Sequence, residues 1–363
     1  MLLTQLRLHD FRNYHQLSFT PHEGITVIMG ENGAGKTNLL EAIHLCCLGR
    51  SHRTNNDRDM IRMGFETCGV HAKVMRRFGL NEVGVRIFKK QRRKKLIYVN
   101  GKIVPRIGDM MGYVTCVMFA PEDLDIIKGG PQLRRRYIDM LLSKNDPKYF
   151  FALQSYNNVL KQRNALLKTI YKGGKPEILD VWDEQLSLKC APLVESRRKA
   201  IESLSLLATE QYNNISGKKN EVFKIEYDSQ LKDSASPAEE FYKILNKNRD
   251  DDIRRQSTSY GPHRDDISML LLGKDMKSFA SQGQIRTAAL ALRLSEMDVL
   301  YNRHKEAPIL LLDDVLSELD EKRRVRLIHS LKTTQTVITC TDMDDLRGAK
   351  PDCILRVASG VIS

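Results

Sequence analysis

Residues 30–37 read Gly30-Glu31-Asn32-Gly33-Ala34-Gly35-Lys36-Thr37, which satisfies the phosphate-binding pattern G-x-x-x-x-G-K-[ST]. The flanks agree: Ile25 to Met29 reads as a buried strand ahead of the loop, and Asn38 to Cys46 as a helix behind it. Gly30, Gly33 and Gly35 let the backbone curl so that successive N–H groups face phosphate oxygens, and the positive end of the helix adds to the attraction. Lys36 is placed to reach β- and γ-phosphates, and the Thr37 hydroxyl to bind Mg²⁺. A glycine turn that merely contained Gly-Lys-Thr would need neither strand nor helix around it. The stretch predicts a nucleoside triphosphate site in an α/β fold.

The chain has 363 residues, long for one domain, so two or three units are expected. No apolar run reaches the roughly 18 residues that span a bilayer, and the N-terminus lacks the layout of a signal peptide. A cytoplasmic protein with no membrane partner is expected. Seven cysteines are scattered without a C-x-x-C pair, which argues for core thiols over a disulfide framework or structural zinc. The formal net charge of +13 favours a polyanionic partner. It is concentrated at residues 86–95, where Lys89, Lys90, Arg92, Arg93, Lys94 and Lys95 form a run without one acid. Such a run on its own is ordinarily a solvated surface. Together with the overall excess it makes these residues candidates for binding DNA phosphates.

Along the chain, Leu2 to Leu8 alternates as a strand, and the following Asp10-Phe-Arg-Asn-Tyr14 offers Arg12 and Asn13 either to a bound nucleotide or to a turn. Asn100-Gly101 between two β-rich runs is the clearest hairpin signal and leaves the basic run near an exposed tip. From about residue 121 the apolar period lengthens to three and four, the mark of long helices. Gly173-Gly174 separates two of them, so they are expected to run antiparallel as an arm, with Pro192 kinking or breaking the second. Near the end, Pro308-Ile-Leu-Leu-Leu-Asp-Asp314 is an apolar strand running into two carboxylates. Asp313 would hold Mg²⁺, and Asp314 would orient or deprotonate the attacking water. Lys36 and Asp313 are 313 − 36 = 277 residues apart, so a large insertion splits the nucleotide fold. The expected division is 1–120 for the N-terminal half of an ATPase head, 121–250 for the arm, and 251–363 for the C-terminal half.

Ser281-Gln-Gly-Gln284 opens a helix ahead of that strand and resembles the S-x-G-Q signature of ABC-type ATPases, while Ser317-Glu-Leu-Asp320 resembles their D-loop. With Gly49-Arg-Ser-His-Arg-Thr54, Pro121-Glu-Asp-Leu124 and Tyr260-Gly-Pro-His-Arg-Asp-Asp266, these stretches make the whole chain similar to the RecF family, bacterial ATPases related to SMC heads. The resemblance implies an ABC-type P-loop ATPase head split by a helical arm. It implies a homodimer with ATP held between Gly30–Thr37 of one copy and Ser281, Gly283, Gln284 and Asp320 of the other. It further implies slow Mg²⁺-dependent hydrolysis and binding of single-stranded, double-stranded and gapped DNA at the nucleoid. The family acts with RecR and RecO to load RecA in repair, replication and the SOS response. The sequence departs from transporter ATPases in carrying Asp314 where many have Glu, and in ending the strand Val337 to Asp342 without a switch histidine, leaving Thr341 or Asp342 near the γ-phosphate. A transporter subunit would place its acidic strand much closer to the P-loop. An SMC protein would need coiled coils of several hundred residues, and a small-molecule kinase would have no use for Ser281–Gln284.

Overall fold

The alternating start of the chain becomes strand β1 (Leu2–Phe11), which turns at Arg12-Asn13 into β2 (Tyr14–Phe19); β3 (Ile25–Met29) then leads through the glycine loop into helix α1 (Lys36–Leu48). Strands β4 (Thr67–Arg76), β5 (Gly79–Phe88), β6 (Lys95–Val99), β7 (Lys102–Val104) and β8 (Cys116–Phe119) follow. In this computed structural model the described residues are 1–90, 94–218, 220–231, 233–331, 333–346, 350–358 and 360–362. Arg92 and Arg93 of the basic run lie outside them. Asn100 and Gly101 both take positive φ, 49° and 78°, the geometry a two-residue hairpin turn demands between β6 and β7.

The chain divides into two compact units, one of Met1–Asp123, Gln211–Asn220 and Thr287–Ser363, the other of Leu124–Glu210 and Glu221–Arg286. The first holds two six-stranded sheets. One is antiparallel, in the order β2-β1-β4-β5-β6-β7. In the other, Val361–Ile362, Cys353–Ala358, β3, Thr336–Cys340, Ile309–Leu312 and β8 lie side by side, parallel apart from the first. Helix α1 packs on strands of both sheets and is buried nearly all round, which is why its sequence lacks a polar face.

The second unit contains the helices Pro131–Asn145 and Pro147–Tyr171 and most of Leu179–Ser216, with a three-stranded sheet. Arg163 pairs with Asp183, and Arg197 reaches Tyr149, as an antiparallel helix pair requires. Leu179–Ser216 runs through Pro192 without a break, and the Pro192 carbonyl accepts from the Ser196 hydroxyl at 2.7 Å. Residues 251–286, which the sequence reading grouped with the C-terminal half of the head, fall in this unit because Asp266–Leu271 pairs with Phe223–Asp228.

Candidate functional site

The loop after β3 is shaped from behind. Asn13 donates to the Ala34 carbonyl at 2.8 Å and Tyr14 to the Gly35 carbonyl at 3.0 Å, so two of the loop's carbonyls are already bonded by the turn that follows β1. Gly35 sits at φ 115°, and a Cβ there would lie inside the Asn13 amide, so no other residue fits. Asn38 at the start of α1 donates to Asn13 at 2.8 Å and accepts from Arg53 at 3.0 Å, tying in the stretch 49–54. Lys36 is almost fully buried and curls back over the loop, its Nζ donating to the carbonyls of Gly30 at 2.6 Å and Glu31 at 3.3 Å. The ammonium is thereby held at the loop where phosphate oxygens would lie.

The parallel sheet brings the two distant motifs together. The Thr37 hydroxyl donates to Asp313 Oδ1 at 2.9 Å, and the Thr339 hydroxyl donates to the same oxygen at 2.7 Å. Thr339 Oγ1 also accepts from the Asp314 N–H at 3.0 Å, which fixes the turn where Asp314 adopts φ 52°. Thr339 was not anticipated from sequence. Its signal is a hydroxyl in the wholly buried strand Thr336–Cys340, where a polar group must find a partner. Thr341 and Asp342, just beyond that strand, are exposed.

Arg12 does something other than face the loop. Its Nε and Nη2 form a fork on the Glu41 carboxylate at 2.8 and 2.7 Å, and its Nη1 donates to the Asp59 carbonyl at 2.6 Å. Arg12 also stands in the turn between β1 and β2, at φ 54°, one of the two roles the sequence left open for it. Glu41 is fully buried, and the Ser51 hydroxyl donates to it as well. Burial pushes its pKa up, but the Arg12 and Ser51 hydrogen bonds prevail and hold it below the usual carboxylate value. His52 beside it is pushed down from 6.5, by burial first, against the pull of Glu41 and Asp313.

In the second unit, Ser281 and Gln284 form a reciprocal cap at the start of Gln282–His304. The Ser281 Oγ accepts from the Gln284 N–H at 3.3 Å and the Gln284 Oε1 from the Ser281 N–H at 2.9 Å. This leaves the Ser281 hydroxyl proton available to donate, with Gly283 between them in the first turn. Asp320 caps Glu321–Ser330, accepting from the Arg323 N–H at 3.0 Å. Of the residues at 121–124, Asp123 is forked to Arg293 at 2.6 and 3.2 Å, while Glu122 is exposed.

The basic run is not uniform. Lys89, Lys90 and Lys94 are exposed, Lys90 lying 3.3 Å from Glu66. Lys95 has to be withdrawn from the DNA-binding set: it opens β6 pointing inward, its Nζ donating to Asp57 and to the Gly49 carbonyl at 2.8 and 2.7 Å. A run of like charges says nothing of which side chains the strand alternation turns in.

Among the described residues no helix is long and apolar enough to cross a membrane. The chain matches the family described as RecF/RecN/SMC N terminal domain over residues 2–359. It is 37% identical over 365 residues to the DNA replication and repair protein RecF of Clostridium novyi, covering 100% of both chains. It is 40% identical over 375 residues to RecF of Shouchella clausii, covering 100% of this chain and 99% of that one. A solved structure described as the recombination mediator protein RecF-ATP in the RecFOR pathway superposes with TM-score 0.92 at 34% identity, covering 100% and 97% of the two chains. An SMC head bound to the C-winged helix domain of ScpA superposes with TM-score 0.59 at 17% identity, over 100% of this chain and 96% of that one, a likeness of fold. With an ABC-type ATPase head fold, and a P-loop and acidic strand joined through Thr37 and Asp313, the chain belongs to the RecF family.

Proposed function

We propose that this chain is an ATP-dependent, DNA-binding recombination mediator whose two copies close on ATP. The observation that carries the reading is the bond between Thr37 and Asp313, which unites two nucleotide motifs far apart in sequence. Lys36 binds β- and γ-phosphate oxygens, and the N–H groups of Glu31 to Thr37 line the phosphates. The Thr37 hydroxyl and Asp313 carboxylate are both hard oxygen donors, a set that fits Mg²⁺. Bound there, the ion neutralises charge on the phosphates. Asp314 orients the attacking water, and its side chain, one methylene shorter than Glu, makes turnover slow. Ser281, Gly283 and Gln284 of a second copy cap the γ-phosphate, and Asp320 lines the same interface, so loss of that phosphate opens the dimer. Lys89, Lys90 and Lys94 hold DNA by its backbone, without reading sequence and with strong dependence on salt. Gapped DNA and RecR, RecO and RecA as partners are carried over from the resemblance to the RecF family, one solved member of which is described as RecF-ATP in the RecFOR pathway.

The test is mass in solution by light scattering with ATP, ADP or no nucleotide, with and without gapped DNA, for wild type, Lys36→Arg and Ser281→Arg. An ATP-dependent dimer lost in both variants is expected. A wild type that stays monomeric throughout removes the two-copy site and reduces Ser281–Gln284 to a helix cap.

A further inference from the structure

The exposed face of the antiparallel sheet carries a trough of about 520 Å³ that the nucleotide site does not use. Its floor is made by two strand-interior glycines. Gly69 on β4 stands between His9 and Arg86, and Gly84 on β5 stands between His71 and Tyr98. Neither glycine takes a positive φ, so the backbone does not require them. A Cβ at Gly69 would meet nothing nearer than 4.0 Å, and one at Gly84 would come 3.2 Å from the His71 ring and 3.7 Å from the Tyr98 ring. Glycine inside a strand weakens it and often marks a place where a ligand or another part of the chain approaches closely. Gly84 is covered by those two rings, whereas the missing side chain of Gly69 opens the face between β1 and β5, strands about 9.5 Å apart, which admits the thickness of a planar base.

The walls say what approaches. Arg86 and Arg7 are exposed, and among the described residues neither takes part in an ion pair with an acid. The acid nearby, Glu82, is held by Lys73 at 3.0 Å and lies 3.6 Å from His71. Tyr98 supplies an aromatic face on the far side of Gly84. Guanidinium groups beside an aromatic ring in a shallow trough match a phosphodiester chain with unstacked bases, where the ring takes a base and the cations take phosphates. A duplex keeps its bases stacked inside and offers none to a ring on the face of a sheet.

We infer that this trough is a track for a single polynucleotide strand, with a base over Gly69 beside Tyr98 and phosphates on Arg7 and Arg86. The assignment rests on the nucleic-acid reading above and names the strand and residues that serve it. Binding is measured by fluorescence anisotropy with a labelled oligothymidylate of about 16 nucleotides and with a duplex of equal length, with and without ATP, over a range of salt. Gly69→Val fills the trough while raising strand propensity, so its melting temperature should stay at or above that of wild type. It should lose tenfold or more in single-strand affinity and little on duplex. Tyr98→Ala should lose roughly 5- to 100-fold, and Arg86→Ala should lower the log–log salt slope by about 0.7. Wild-type affinity in both Gly69→Val and Tyr98→Ala overturns the track while leaving DNA binding to Lys89, Lys90 and Lys94. Equal losses on duplex overturn the single-strand assignment. A wild type that binds neither probe overturns the nucleic-acid reading itself.

Discussion

Thr37 and Asp313, 276 residues apart, are joined by a hydrogen bond of 2.9 Å, and the Thr339 hydroxyl holds the same carboxylate oxygen from the neighbouring strand. The carboxylate is thus oriented before any nucleotide arrives. Thr37→Val removes one donor, and Thr339→Val removes the other together with the acceptor for the Asp314 N–H. Each should cost about 1 kcal/mol of stability, more for Thr339, which leaves a buried N–H without its partner. Only Thr37→Val also deletes the hydroxyl expected at the metal. Titration with a fluorescent ATP analogue should show Thr37→Val losing its Mg²⁺ dependence while Thr339→Val keeps it; equal behaviour of the two variants would argue against a metal role for Thr37.

Breaking the Arg12–Glu41 fork leaves a carboxylate inside the protein without its cation. Arg12→Ala should lower stability at pH 7 by about 3–5 kcal/mol. Because the folded pKa of Glu41 is depressed, its contribution is present above the unfolded value near 4.5 and is lost as pH falls through the folded one. Glu41→Gln should therefore flatten the acid limb of a stability curve read from urea midpoints. A limb as steep as that of wild type would show that other carboxylates govern it.

His263 accepts from the Tyr156 hydroxyl at 2.8 Å, and its other ring nitrogen donates to the Thr258 carbonyl at 3.0 Å, which fixes a neutral imidazole. Burial pushes its pKa from 6.5 down to about 4. In that window the unfolded chain takes up a proton that the folded chain refuses, so stability present above 6.5 drains away as pH falls toward 4. The loss is about 3 kcal/mol if the shift is fully expressed. His263→Ala should be less stable at neutral pH yet change less between pH 7 and 4.5, which urea titrations at several pH values would reveal.

Pro192 lies inside a continuous helix, where its ring removes one backbone donor and crowds the turn before it. Pro192→Ala should raise stability by roughly 1 kcal/mol or more and leave ATP affinity untouched. A destabilised variant would mean that the ring's own packing outweighs the missing bond.

The glycine loop and the paired acids were legible because each is a short contiguous pattern whose chemistry fixes its residue types. Thr339, Glu41 and Ser51 were not, since their role lies in partners that only the fold supplies: Thr339 reads as one more strand residue until Asp313 is placed beside it. The same limit explains Lys95, whose direction depends on strand alternation, and the Arg12 fork, whose partner Glu41 only the fold brings beside it. Residues 251–286 were grouped with the wrong half because the pairing of Asp266–Leu271 with Phe223–Asp228 spans an intervening helix pair that sequence order does not reveal.

Strand β3 lies between Thr336–Cys340 and Cys353–Ala358, both made some 300 residues after it. At translation speeds of about 5–20 residues per second, the glycine loop waits on the order of 15 to 60 s on the ribosome with neither flank of its strand covered. An emerging chain therefore has no completed nucleotide site until the strands at 336–340 and 353–358 have been made. Fragments ending ahead of residue 336 should present a bare hydrophobic strand to chaperones and proteases in place of a working ATPase head. A late frameshift would then be as damaging as one within the P-loop.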